Sequence, residues 1–116
     1  MNLTLGMVTL DCADPRRLAG FWTKALGLEI AEDYDEYIVL RGEGQPVALG
    51  LQRVPEPKPG KNRVHLDFGT GDRAAEVARL VALGARELAD HEMPGLRWTV
   101  LADPDGNEFC VGGYHS

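Results

Sequence analysis

Two pairs of reactive side chains stand two residues apart in this sequence: His65 and Asp67 within Arg63-Val64-His65-Leu66-Asp67-Phe68, and Glu108 and Cys110 within Glu108-Phe109-Cys110-Val111. Alternate residues of an extended strand share a face. Arg63, His65 and Asp67 therefore line one side of the first run, while Val64, Leu66 and Phe68 form an apolar side suited to packing beneath a helix. In the second run Glu108, Cys110 and Gly112 oppose Phe109 and Val111. An imidazole, two carboxylates and a thiol can move protons near neutral pH or ligate a metal. His65 is read in two ways, as a ring merely satisfied by Asp67 or a neighbouring strand, or as a ligand contact in a cleft. Asp67 and Glu108 could attract a cation, or pair with Arg63.

The remaining candidates read as structure or solvent. His91 is placed in a loop and His115 at the terminus, both solvated. Lys58, Lys61 and Arg63 could bind an anion, but a solvated linker is the expected reading. Trp22, beside Phe21 at helical spacing, is a core residue. Trp98 shares its face with Leu96, Val100 and Ala102 while Arg97 and Thr99 oppose it, which leaves both a core and a ligand-facing orientation open. Cys12 and Cys110 have no closely spaced Cys or His partner, so neither a zinc ribbon nor a Cys-x-x-Cys redox motif is present and both are expected to be free thiols.

These residues need elements to position them. Leu3 to Cys12 reads as a strand, Asp14 caps a helix with Pro15 in its first turn, and Leu18, Phe21, Trp22, Ala25 and Leu26 form its apolar stripe before Gly27. Three strands follow, near Leu28–Glu32, Tyr37–Arg41 and Pro46–Arg53. Residues 54–62 contain three prolines and read as a linker. The order then restarts: a strand at Arg63–Gly69, a helix capped by Asp72 with Ala74, Val77, Ala78 and Val81 on one face before Gly84, a strand at Leu96–Ala102, a tight turn at Asp103-Pro104-Asp105-Gly106-Asn107 and a closing strand at Glu108–Gly112. Met7 to Asp14 repeats the spacing of His65 to Asp72, a duplication with module one at about 1–53 and module two at 63–116.

Composition narrows the partners. The 116 residues are 44% hydrophobic, enough for one core. Twelve basic against eighteen acidic residues give a net charge of -6, which repels phosphate backbones and anionic lipid and excludes nucleic acid and membrane surfaces as partners. No apolar run approaches the roughly 18 residues of a membrane span. The first residues lack a secretory pattern, and a cytoplasmic protein is expected.

Two strand-helix-strand-strand-strand modules, together with Asp14-Pro15 through Leu26-Gly27, Lys61-Asn62-Arg63-Val64-His65-Leu66-Asp67 and Asp103-Pro104-Asp105-Gly106-Asn107-Glu108-Phe109, resemble the vicinal oxygen chelate superfamily of glyoxalases, bleomycin-resistance proteins and extradiol dioxygenases. The resemblance implies an α+β fold in which two tandem βαβββ modules form a cupped mixed sheet with helices outside. It implies metal ligands on the first and last strand of each module, at Met7 and His65 and at Gln52 and Cys110, with Gln52 reached from Cys110 by the 58-residue offset. Only His65 is a strong ligand of the family's type, and Cys110 replaces the usual Glu. The expectation is therefore a cup lined by Met7, Gln52, Arg63, His65, Asp67, Trp98, Glu108 and Cys110 that holds a cationic or aromatic small molecule, with no cofactor, in a homodimer resembling the bleomycin-resistance branch. The alternative is a lyase, isomerase or dioxygenase using a divalent metal at His65 and Gln52, with Glu108 as substitute carboxylate.

Overall fold

Asp14 begins the first helix because its carboxylate takes the Arg17 amide at 3.3 Å, satisfying one of the amide groups that a helix start leaves without an internal partner. Pro15 costs no hydrogen bond at that position, and Gly27 ends the helix at φ 67°, a conformation a side chain would strain. Helix α1 (Pro15–Leu26) buries Leu18, Ala19, Phe21, Trp22 and Ala25, and Trp22, only 1% exposed, meets Phe21 edge-on with centroids 5.0 Å apart.

The computed structural model describes Asn2 and residues 5–114. Around α1 lie β1 (Met7–Cys12), β2 (Glu29–Asp33), β3 (Tyr37–Gly42) and β4 (Gln45–Arg53). The second series is β5 (Leu66–Gly69), α2 (Arg73–Leu83), β6 (Arg86–Met93), β7 (Leu96–Ala102) and β8 (Glu108–Tyr114). The chain divides between Pro57 and Lys58 into two compact units. Each is a βαβββ module with one four-stranded mixed sheet, ordered β1-β4-β3-β2 in the first and β5-β8-β7-β6 in the second. In each, first and last strands pair in parallel and the others antiparallel.

One face of each sheet packs on its helix. In module one this face carries Ile38, Leu40, Leu49 and Leu51, all buried against α1. In module two Phe109, Val111 and Leu101 are buried on the side of α2, and Phe68 meets Phe109 edge-on. Arg73 Nη1 donates to the Thr99 hydroxyl at 2.7 Å, and Thr99 donates to Asp90 at 2.9 Å. Thr99 is fully buried, and this chain of bonds satisfies it. The Arg97 guanidinium, followed by the Thr99 hydroxyl, holds the Asp90 carboxyl below its ordinary range.

Three sequence expectations give way. β5 begins at Leu66, so Arg63 and His65 precede the strand, and Val64 is 74% exposed instead of packing beneath a helix. α2 buries Val77 and Leu80, not an Ala74-Ala78-Val81 face; Val81 is 44% exposed because Leu80 takes the sheet-facing position. A strand, β6, occupies residues 86–93, where His91 was expected in a loop. Its charged residues mask the alternation that marks a strand. No helix among the described residues is long and apolar enough to cross a membrane.

Candidate functional site

The face of module two turned away from α2 is built by β5, β7 and β8. Asp67 pairs with Cys110, Cys110 with Val100, and Trp98 with both Gly112 and His91. Cys110 is almost fully buried, and burial, reinforced by the Asp67 carboxylate beside it, pushes its thiol up to about 11. It is a neutral thiol at physiological pH, neither a nucleophile nor a ready thiolate ligand.

Glu108 opens β8 on the same face, its side chain 13% exposed. Lys58 Nζ donates to its Oε2 at 3.1 Å, and His65 Nε2 lies 3.9 Å from its Oε1. His65 Nε2–H donates to the Asn62 carbonyl at 3.1 Å, while the Asn62 side-chain oxygen accepts the Glu108 amide at 3.4 Å. Residues 58–65 thus close over the carboxylate, and Lys58 compensates its charge. Lys58, exposed like Lys61 as a linker residue should be, nevertheless engages Glu108, and neither Asp67 nor Arg63 supplies these partners. Arg63 lies exposed in the bend before β5, off the strand on which alternation had placed it.

Trp98 is half-buried and faces away from α2, which excludes its core orientation. The buried polar Thr99 takes the helix side instead. His91 stacks on the Trp98 indole with centroids 5.3 Å apart and an interplanar angle of 28°. His115 lies outside the described residues.

In module one Met7, Thr9 and Asp11 stand opposite Ala48, Gly50 and Gln52 across β1 and β4. Gln52 is on the face turned away from α1, but at a different place from the one the repeat implied. Helix caps Asp14 and Asp72 align Thr9 with Asp67; Thr9 pairs with Gly50 and Asp67 with Cys110, so Gly50, not Gln52, is the counterpart of Cys110. The offset of the last strands is 60 residues, Gly50 to Cys110, because the second meander is longer. Gln52 corresponds to Gly112.

Among the described residues the donor set that the sequence resemblance implies for a divalent metal is not brought together. Among the described residues no three His, Cys, Asp or Glu side chains are placed to hold a metal ion. Met7 and Gly50 give module one no strong donor, Cys110 is a protonated thiol, and Glu108 is engaged by Lys58. The residues that sequence reasoning missed are Tyr37, His91 and Asn62. The phase of Tyr37 against Gln52 could have signalled the first; no sequence signal marks Asn62.

Residues 7–112 match the family model described as a glyoxalase-like domain. Solved structures similar to this chain include a glyoxalase/bleomycin resistance protein/dioxygenase family enzyme from Burkholderia phytofirmans PsJN, 19% identical with a TM-score of 0.80 over 97% of this chain and 100% of that one. A lactoylglutathione lyase from Agrobacterium tumefaciens is 21% identical with a TM-score of 0.70, covering 95% and 92%. A fosfomycin resistance protein from Mesorhizobium loti is 13% identical with a TM-score of 0.75, covering 99% and 94%. At these identities the likeness is one of fold. The search of curated proteins finds no match.

Proposed function

The chain belongs to the glyoxalase-like domain family, and from that premise we propose that it binds a small aromatic or cationic organic molecule and sequesters it without metal catalysis. The observation that carries this reading is the face of module two, where the half-buried Trp98 indole lies on the same side as the exposed Asp67 carboxylate while Glu108 and Cys110 are held neutralised or protonated. Such a face offers an aromatic surface and one negative charge. It offers no free general base at Glu108 and no thiolate. Sequestration of a toxic compound in the cytoplasm, by a homodimer, is the role that fits.

A melting-temperature screen of cationic antibiotics, aromatic acids and divalent metals tests this. A native-state ligand at one hundred times its dissociation constant adds about 2.7 kcal/mol, and each kcal/mol moves melting by roughly 4 to 8 °C in a domain near this size. Shifts on the order of ten degrees with cationic or aromatic compounds are expected. Shifts with metals alone would sink the reading in favour of a metal-dependent lyase, isomerase or dioxygenase.

A further inference from the structure

The place that Cys110 fills in module two is filled in module one by a residue from a different strand. Gly50 has no side chain, and a Cβ there would stand 2.8 Å from the Tyr37 hydroxyl, 2.9 Å from Thr9 Oγ1 and 3.2 Å from Met7 Sδ. The phenol of Tyr37, half-buried on β3, hangs over this gap. Its O–H donates to Met7 Sδ at 3.2 Å, with the Thr9 hydroxyl 3.5 Å away. Tyr37 also pairs across the strands with Gln52, so a phenol and a side-chain amide share one face.

We propose that Tyr37 is a ligand-recognition residue of module one, whose hydroxyl takes a neutral carbonyl or amide oxygen of a small organic molecule on that module's own face, with the Gln52 amide beside it. This inference rests on the small-molecule-binding reading above. A thioether is a weak acceptor, so the phenol loses little by turning its O–H from Met7 to a carbonyl oxygen, a stronger partner. Asp11, opposite Gln52, and Glu32, opposite Val39, lie on the same face. Their carboxylates disfavour an anion there, which selects a neutral acceptor over a carboxylate. The absent Gly50 side chain leaves room for the hydroxyl to swing, a freedom that Ala would remove.

Titration of 15N-labelled protein with benzamide and with benzoate tests this. Benzamide is expected to move the Thr9 and Gly50 amide signals and to bind more tightly than benzoate. Tyr37→Phe keeps the ring and its packing, and should weaken benzamide about fivefold, the effect of one hydrogen bond, with melting unchanged. Gly50→Ala, which displaces the hydroxyl, should do the same and serves if the first variant is destabilised. Equal affinity of both variants and wild type, or shifts confined to β5, β7 and β8, overturns the role of Tyr37 and leaves the binding reading standing. No shift in either module, together with no melting shift from any compound in the screen, overturns both.

Discussion

Asp67 and Cys110 are partners across the parallel β5–β8 pair, a carboxylate and a thiol side by side on the face turned away from α2. The carboxylate destabilises a neighbouring thiolate, and burial does so more strongly. A position that resemblance marks as a metal ligand thereby becomes an inert neutral group.

That arrangement sets the reactivity of Cys110. With the thiol pushed up to about 11 from a reference of 9.0, its thiolate fraction at pH 8 is about a hundredfold below that of an unperturbed cysteine. Alkylation by iodoacetamide, followed by peptide mass spectrometry, should be slower by at least that factor, and Asp67→Asn should speed it. Because the folded value lies above the unfolded one, the associated stability is fully present below about pH 9 and is lost as pH rises toward 11. Melting should fall across that window, and a Cys110→Ala variant should fall less.

Purified protein should carry no stoichiometric first-row transition metal. Glu108 is engaged by Lys58, Cys110 is protonated, and Gly50 offers no donor. Elemental analysis decides the matter: one tightly held ion per chain, lost in His65→Ala, would contradict it.

The fold was legible where spacing dictates packing. Asp14, Pro15 and Gly27 delimit a helix by backbone chemistry that local sequence controls, and the α1 stripe buries as its periodicity requires. The second module was less legible for physical reasons. β6 reads Arg-Glu-Leu-Ala-Asp-His-Glu-Met, an edge strand with little buried surface to impose alternation. The faces of β7 were inverted relative to hydrophobicity, because Arg73 and Asp90 bury the polar Thr99 on the helix side while Trp98 takes the other. The Gln52 register failed because an offset fixed by the helix caps does not carry past a longer meander. The pairing of Lys58 with Glu108, 50 residues apart, has no local signature at all.

Asp90→Asn should destabilise the protein by about 1 to 2 kcal/mol in urea unfolding. Asp90 accepts from Thr99 and Arg97 and stands 3.5 Å from Arg73. Asparagine keeps an acceptor for the buried Thr99 hydroxyl but removes the negative charge that faces the Arg97 guanidinium and the largely buried Arg73 guanidinium. The Asp90 carboxyl is held low, so its stabilisation is present above an ordinary aspartate value and fades as pH falls below it. The wild type should lose more stability than the variant below about pH 4.

Light scattering should give about twice the chain mass. Ile30 on β2, and Leu88 and Met93 on β6, are 47%, 44% and 55% exposed on the strands that end each sheet, where unpaired backbone groups also invite a partner. A chain of this size gains from burying such surface between copies. A folded monomer at micromolar concentration would contradict it.

Tryptophan fluorescence separates the two indoles and tests where an aromatic ligand sits. Trp22 is 1% exposed within the α1 core and should be insensitive to quenchers. Trp98 is half-buried, with His91 on one side of its ring. Any compound from the melting screen that stacks on the open side of module two should quench Trp98 emission in proportion to occupancy, giving a dissociation constant that agrees with the thermal shift. Trp98→Leu should abolish the quench and weaken an aromatic ligand by about 1 kcal/mol, the typical excess of an aromatic pair over simple burial, roughly a fivefold loss. Trp22→Phe, by contrast, should leave both quench and affinity in place while lowering stability, since it trims a packed core. A ligand that shifts melting but leaves Trp98 emission unchanged up to saturation would move the binding site off this face.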